Sequence, residues 1–357
     1  MAAMPSQVAG LQSRSGSTRF DAVLVVSFGG PQGLADIRPF LANVLRGRRV
    51  SPGRVEEVAR HYEHFGGVSP ITELTRRQAE GLRERLAAAG HPLPVYVGMR
   101  NWHPLLVDTL REMSAAGHRR AIGFITAAQH SFSSCEQYRR NVADARAVLR
   151  AEGRTDVEVT FVDSWFDHDG FVAVNAAHVT EALARLPEAS RRQARLIFTA
   201  HSIPLPMAEA GRYREQLRVG AALVAERAGV RDWALVYQSR SGRPEDPWLG
   251  PDICDYLREE RPKGLRAAVI CPIGFVSDHV EVLWDLDREA AAVCREAGIE
   301  MARAETANAD PRFIDMMADM VLRTIRRHAR SRALPIVGLP GSTRGGDGRP
   351  PTGAAAS

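Results

Sequence analysis

Short apolar runs rich in β-branched residues recur along the chain and alternate with stretches of helical periodicity. The runs fall at 21–28, 94–99, 120–126, 157–162, 195–200, 233–238, 267–273 and 299–304. Each is almost continuously apolar, as strands buried on both faces require. Between them, segments such as 70–89, 104–116, 135–151 and 171–186 place apolar residues at i, i+3 and i+4, one face of an α-helix. This alternation predicts an α/β fold with parallel sheets and right-handed crossovers. The eight strands divide as four and four about the segment 163–170 (DSWFDHDG). Two similar α/β domains are expected, at 20–163 and 164–332, the second including a closing helix. The ends, 1–19 and 333–357, are rich in small residues or Pro and lack periodicity, so both read as flexible.

Composition narrows the class. Of 357 residues, 45% are hydrophobic and 25% charged, an ordinary globular balance that excludes wholesale disorder. No apolar run approaches the ~18 residues of a membrane span, and the first 20 residues lack a signal-peptide core. A cytoplasmic protein without stable membrane insertion is expected. The net charge of +5 is misplaced for a nucleic-acid binder: the ends carry it, and 20–322 is net negative. Lys263 is the one Lys beside 46 Arg, a skew that reflects genome composition. Cys135, Cys254, Cys271 and Cys294 are far apart in sequence, so no C-x-x-C pair exists and free thiols are the default.

Ligands of open α/β sheets bind beyond the carboxyl ends of the strands, and three such ends carry chemistry. The first reads Ser27-Phe28-Gly29-Gly30-Pro31, a tight turn or a close approach to a ligand, without the G-x-G-x-x-G dinucleotide pattern. The fifth reads Thr199-Ala200-His201-Ser202-Ile203-Pro204. His201 is placed to face a cleft, and the glycines of a nucleophile elbow are missing. After the seventh, Glu281, Asp285 and Glu289 recur every fourth residue with no (i, i+4) Lys or Arg relieving the row. A solvated acidic face is one reading; a row handling a cation such as Fe²⁺ or Mg²⁺ is the other.

These residues stand in a series of motifs: SFGGP (27–31), FGGVSP (65–70), RNWHP (100–104), FTAHSIP (198–204), YQSRSG (237–242), PWLGPDI (247–253) and PIGFVSDHVEVL (272–283). In this order and spacing, over about 20–330, the chain resembles the ferrochelatases, which insert Fe²⁺ into a porphyrin. It is most similar to the bacterial, actinobacterial-like branch associated with coproporphyrin III. The resemblance implies two Rossmann-like, chelatase-type domains around a porphyrin cleft. It implies His201 as the base that takes pyrrole protons or as an iron ligand, and Glu281 as the facing carboxylate. Asp285 and Glu289 would continue a path for Fe²⁺. A neutral imidazole suits the base role near neutral pH.

The resemblance also implies porphyrin contacts by Ser69 and Tyr138. Tyr62 and Arg46 are candidate rim donors; packing inside and a solvated basic turn are their alternatives. Some bacterial members have a Tyr iron ligand where this chain has Phe28, which cannot ligate. Before Cys135, a segment that is Tyr-rich in the actinobacterial-like group contains Gln129 and His130, candidate contacts for iron or solvent. Many relatives hold a [2Fe–2S] cluster on one internal Cys and three C-terminal ones. Cys135 fits the internal position, but no Cys follows Arg323, so no cluster is expected. The expected partners are porphyrin and Fe²⁺, not nucleic acid, and the expected state is a monomer. The rival readings are a ferrochelatase preferring protoporphyrin IX, a cobalt or nickel chelatase with paired histidines, and a non-catalytic tetrapyrrole or metal carrier.

Overall fold

The computed structural model describes residues 20–47, 50–131, 135–241 and 245–330. The expectations for 1–19 and 333–357 lie outside these residues, as do Arg48 and Arg49. All eight expected strands form: β1 (Ala22–Ser27), β2 (Val95–Met99), β3 (Arg120–Ile125), β4 (Glu158–Phe161), β5 (Arg195–His201), β6 (Trp233–Gln238), β7 (Ala267–Cys271) and β8 (Glu300–Arg303). They pair in parallel as two four-stranded sheets, β2-β1-β3-β4 and β6-β5-β7-β8. The central strands are the most apolar ones because both faces are covered: all six residues of β1 and all five of β7 are buried. Register follows from this, with Val23 opposite Val95 and Ile122, and Leu196 opposite Trp233 and Val269.

The strand order is the same in both sheets. In each, the first strand has the second on one side and the third on the other, so the chain changes direction between β1 and β3 and between β5 and β7. That reversal opens a crevice at the carboxyl ends of those strands. The four expected helices form as Ile71–Ala88, Leu106–Ala115, Gln137–Ala151 and Asp169–Arg185. Two helix starts are built by local chemistry. Ser51 accepts from the Arg54 N–H ahead of Pro52, and the His168 ring accepts from the Gly170 N–H.

One core runs through both halves. Val25 and Phe124 of the first sheet join Phe198 and Val269 of the second through Phe171 and Phe313. Trp165, in the segment between the halves, is 3% exposed. It stacks on Phe124 at 5.5 Å and meets Phe171 edge-on at 5.1 Å. The helix Pro311–Arg330 packs on Ile71–Ala88, on Asp169–Arg185 and on β3. Its Ile314 lies so close to Gly81 that a methyl group there would sit 2.6 Å from Ile314 Cδ1. Among the described residues, no helix is long and apolar enough to cross a membrane.

Candidate active site

The site gathers at the carboxyl ends of β5 and β7, adjacent strands at a point of chain reversal. His201 is the last residue of β5. Its carbonyl accepts from the Tyr213 hydroxyl at 3.1 Å, which fixes the strand end. The exit loop of β7 passes over β5 so tightly that only Gly fits at 274: a Cβ there would lie 2.5 Å from Ala200 Cβ. That loop carries Ser277 and His279 into the short helix Val280–Trp284, where Glu281 faces His201 with Oε2 4.0 Å from Nε2. The side chains are 34% and 41% exposed, so the pair is open to solvent.

The hydrogen bonds fix the tautomer. His201 Nδ1 lies against the Ser202 carbonyl. A carbonyl only accepts, so Nδ1 carries a proton, while Nε2 faces Glu281 at 4.0 Å, beyond hydrogen-bond distance. His279 repeats this pattern at a shorter distance from Glu281. Its Nδ1 donates to the Ser277 carbonyl at 3.1 Å, so Nε2, 3.5 Å from Glu281 Oε2, must itself be protonated to interact. Burial alone would lower the His279 pKa; the Glu281 charge and hydrogen bond outweigh burial and raise it. Burial works to raise the Glu281 pKa, but the His279 hydrogen bond and the nearby imidazoles bring it down to about 2. Solvent at this open pair screens part of that effect.

Asp285 is set the other way. Burial, with repulsion from Glu281 and Glu289, raises its pKa to about 7 against the hydrogen bonds that lower it. Those bonds come from the Ser239 hydroxyl and, at 3.2 Å, from Gln238 Nε2. Ser239 sits at φ +59, a left-handed conformation unfavourable for Ser. The carboxylate row does not continue as a regular α-helix. Asp285–Ala290 is a π-helical turn, the wider i→i+5 form often found at functional sites. Trp284 Nε1 accordingly reaches five residues on, donating to Glu289 Oε1 at 2.9 Å. Glu281 and Asp285 are half-buried and Glu289 is exposed, so the row leads outward to solvent.

The first half closes over this site through the helix Pro52–His64. His61 stacks on Trp284 with centroids 3.9 Å apart. Tyr62 is 5% exposed and edge-on to Phe40 at 5.5 Å, in a cluster that includes Val280. It is a packed aromatic here and does not stand at a rim. Arg46 is exposed at the end of Ile37–Val44, with Nη2 2.8 Å from Asn43 Oδ1. Ser69 is buried, its N–H donating to the Pro31 carbonyl at 2.9 Å. Tyr138 is buried on Gln137–Ala151 under the Arg100 guanidinium, and burial pushes its phenol up to about 12. Phe28 packs edge-on to Phe40. The structure thus joins His201, Glu281 and Asp285 in one site. His279, Gln238 and Ser239 belong to it too, and sequence reasoning did not single them out, although all three lie inside quoted motifs.

A family model described as Ferrochelatase matches residues 20–325. The chain is 48% identical to a ferrochelatase of Rhodopirellula baltica over 89% of this chain and 90% of that protein. It is 46% identical to a coproporphyrin III ferrochelatase of Mycobacteroides abscessus, over 90% of this chain and 94% of the other. With a coproporphyrin III ferrochelatase of Streptomyces coelicolor it shares 47% identity over 85% of each. Among solved structures, SirB from Bacillus subtilis with Fe³⁺ superposes with a TM-score of 0.53 at 11% identity, covering 88% of this chain and 98% of that one. A likeness at so low an identity bears on the fold alone.

Proposed function

The chain belongs to the ferrochelatase family, and from that premise we propose that it inserts Fe²⁺ into coproporphyrin III in haem synthesis. The observation that carries the chemistry is the facing pair of His201 Nε2 and Glu281 Oε2 at 4.0 Å. Porphyrin metallation removes two pyrrole N–H protons. The Nε2 lone pair of His201 accepts one, releases it to solvent and then accepts the second, and ionised Glu281 stabilises the imidazolium each time. Asp285 and the exposed Glu289 continue the row and admit hydrated Fe²⁺ from solvent. Ser69 and Tyr138, both buried here, are kept as porphyrin contacts only on the family resemblance, and Arg46 offers an exposed guanidinium for a propionate. The choice of coproporphyrin III rests on the names of the relatives.

The same reading takes 20–163 and 164–332 as two domains around the porphyrin, in a cytoplasmic monomer. It includes no [2Fe–2S] cluster. The four cysteines fall in three different packing clusters: Cys135 in one, Cys271 in another, Cys254 and Cys294 in the third. They do not fit a common cluster, and anaerobically purified protein is expected to lack its absorption and EPR signals. A stoichiometric [2Fe–2S] spectrum would overturn that part. The main test is anaerobic Fe²⁺ insertion with each porphyrin in turn. Higher kcat/KM for coproporphyrin III supports the proposal; preference for protoporphyrin IX, or no insertion into either, defeats it.

A further inference from the structure

A second cluster of metal-binding side chains lies apart from the His201–Glu281 pair. His130 follows β3, and Cys135 and Glu136 lead into Gln137–Ala151. One ligand atom from each of the three lies within 4.8 Å of the others. His130 Nδ1 is 3.2 Å from Cys135 Sγ, and His130 Nε2 is 3.6 Å from Glu136 Oε1. Tetrahedral Zn²⁺ with S, N and O ligands needs ligand atoms about 3.5 Å apart. Cys135 Sγ and His130 Nδ1 come near that spacing; Glu136 meets the other ring nitrogen, so its half-exposed side chain, whose ligand atom still lies within 4.8 Å of the others, has to rotate to join them on one ion.

Gln129 and His130 are held in place. The Gln129 amide donates to the Ile273 carbonyl at 3.2 Å. The His130 N–H donates to Gln216 Oε1 at 2.6 Å. Gln216 and Tyr213 are three residues apart on the helix Tyr213–Arg227, and Tyr213 holds the His201 carbonyl. One helical turn therefore contacts both clusters.

We propose that His130, Cys135 and Glu136 form a second divalent-cation site, one that takes thiophilic ions such as Zn²⁺ and Co²⁺. Its chemistry differs from that of the carboxylate row. A thiolate with an imidazole selects Zn²⁺ or Co²⁺ over Mg²⁺ and Ca²⁺, whereas oxygen ligands alone do not. Three protein ligands leave a fourth position for water. Binding releases the Cys135 thiol proton to solvent as the thiolate bonds the metal. The inference stands independently of iron insertion.

The test is anaerobic Co²⁺ titration of the metal-free, full-length protein, read by near-ultraviolet sulfur-to-cobalt charge-transfer absorption. One equivalent of Co²⁺ should give the band in wild type and in His201→Ala, since the second site does not use His201. Cys135→Ser should abolish it. His130→Ala and Glu136→Gln, which keep the thiol, should weaken Co²⁺ binding by about tenfold or more. Zn²⁺ should displace the band and Mg²⁺ should not. Absence of the band in wild type, its survival in Cys135→Ser, or its loss in His201→Ala would each overturn the proposal. Should Cys135→Ser fail to fold by circular dichroism, unchanged Co²⁺ affinity in both His130→Ala and Glu136→Gln would do so instead.

Discussion

At the scale of single residues, two carboxyl groups four positions apart are driven in opposite directions. Glu281 is held ionised by His279 and His201, while Asp285 is pushed towards neutrality by burial and by its acidic neighbours. Asp285 titrates at about 7 when folded, against an ordinary value of 3.8. A raised group favours folding fully below its unfolded pKa, and that advantage is lost as pH rises through its folded pKa. Asp285→Asn removes this dependence. Wild type should therefore lose more stability than the variant between pH 4 and pH 8, measured as urea midpoints. A difference that stays constant with pH would contradict the assignment. The base is tested separately: His201→Ala should slow Fe²⁺ insertion by about 10²–10⁴-fold while porphyrin binding, followed by fluorescence quenching, persists. Insertion within a few-fold of wild type would remove His201 from the mechanism. His201 and Glu281 were legible because each ends or follows an apolar strand inside a motif. His279 was not, because its role depends on a protonation that only the fold imposes.

At the scale of elements, the strands were legible and the turn that carries the acids was not. Runs such as AVLVVS in β1 and AAVIC in β7 have no reading but a buried strand once helices cover both faces. The row Glu281, Asp285, Glu289 reads as a regular helix by spacing. The π-helical turn departs from it where Ser239 and Gln238 hold Asp285 from the end of another strand, partners that no local pattern reveals. The loop before this turn is likewise held from afar. Gln78, on Ile71–Ala88, donates to Ser277 Oγ at 2.9 Å and to the Asn308 carbonyl at 2.6 Å. Asn308 Oδ1 in turn accepts from the Asp278 N–H at 2.9 Å. Gln78→Ala leaves these buried groups unpaired and should cost about 1–3 kcal/mol in urea unfolding. An unchanged midpoint would mean that the latch contributes nothing.

At the scale of the molecule, the shared core ties the two sheets together. Phe313, from the last described helix, is fully buried among Trp165, Phe171 and residues of both sheets. Phe313→Ala should destabilise by about 3–5 kcal/mol and shift one transition seen alike by tryptophan fluorescence and far-ultraviolet circular dichroism. Two separated transitions would show that the halves unfold independently. The placement of Pro311–Arg330 also sets an order of events on the ribosome. Translation delivers both sheets before this helix. Until it arrives, the nascent chain presents an empty apolar seat, where Gly81 waits for Ile314 and Gly170 for Met316. A polypeptide stalled before residue 311 would hold that seat open to chaperones, so the core is completed only after both sheets have been made.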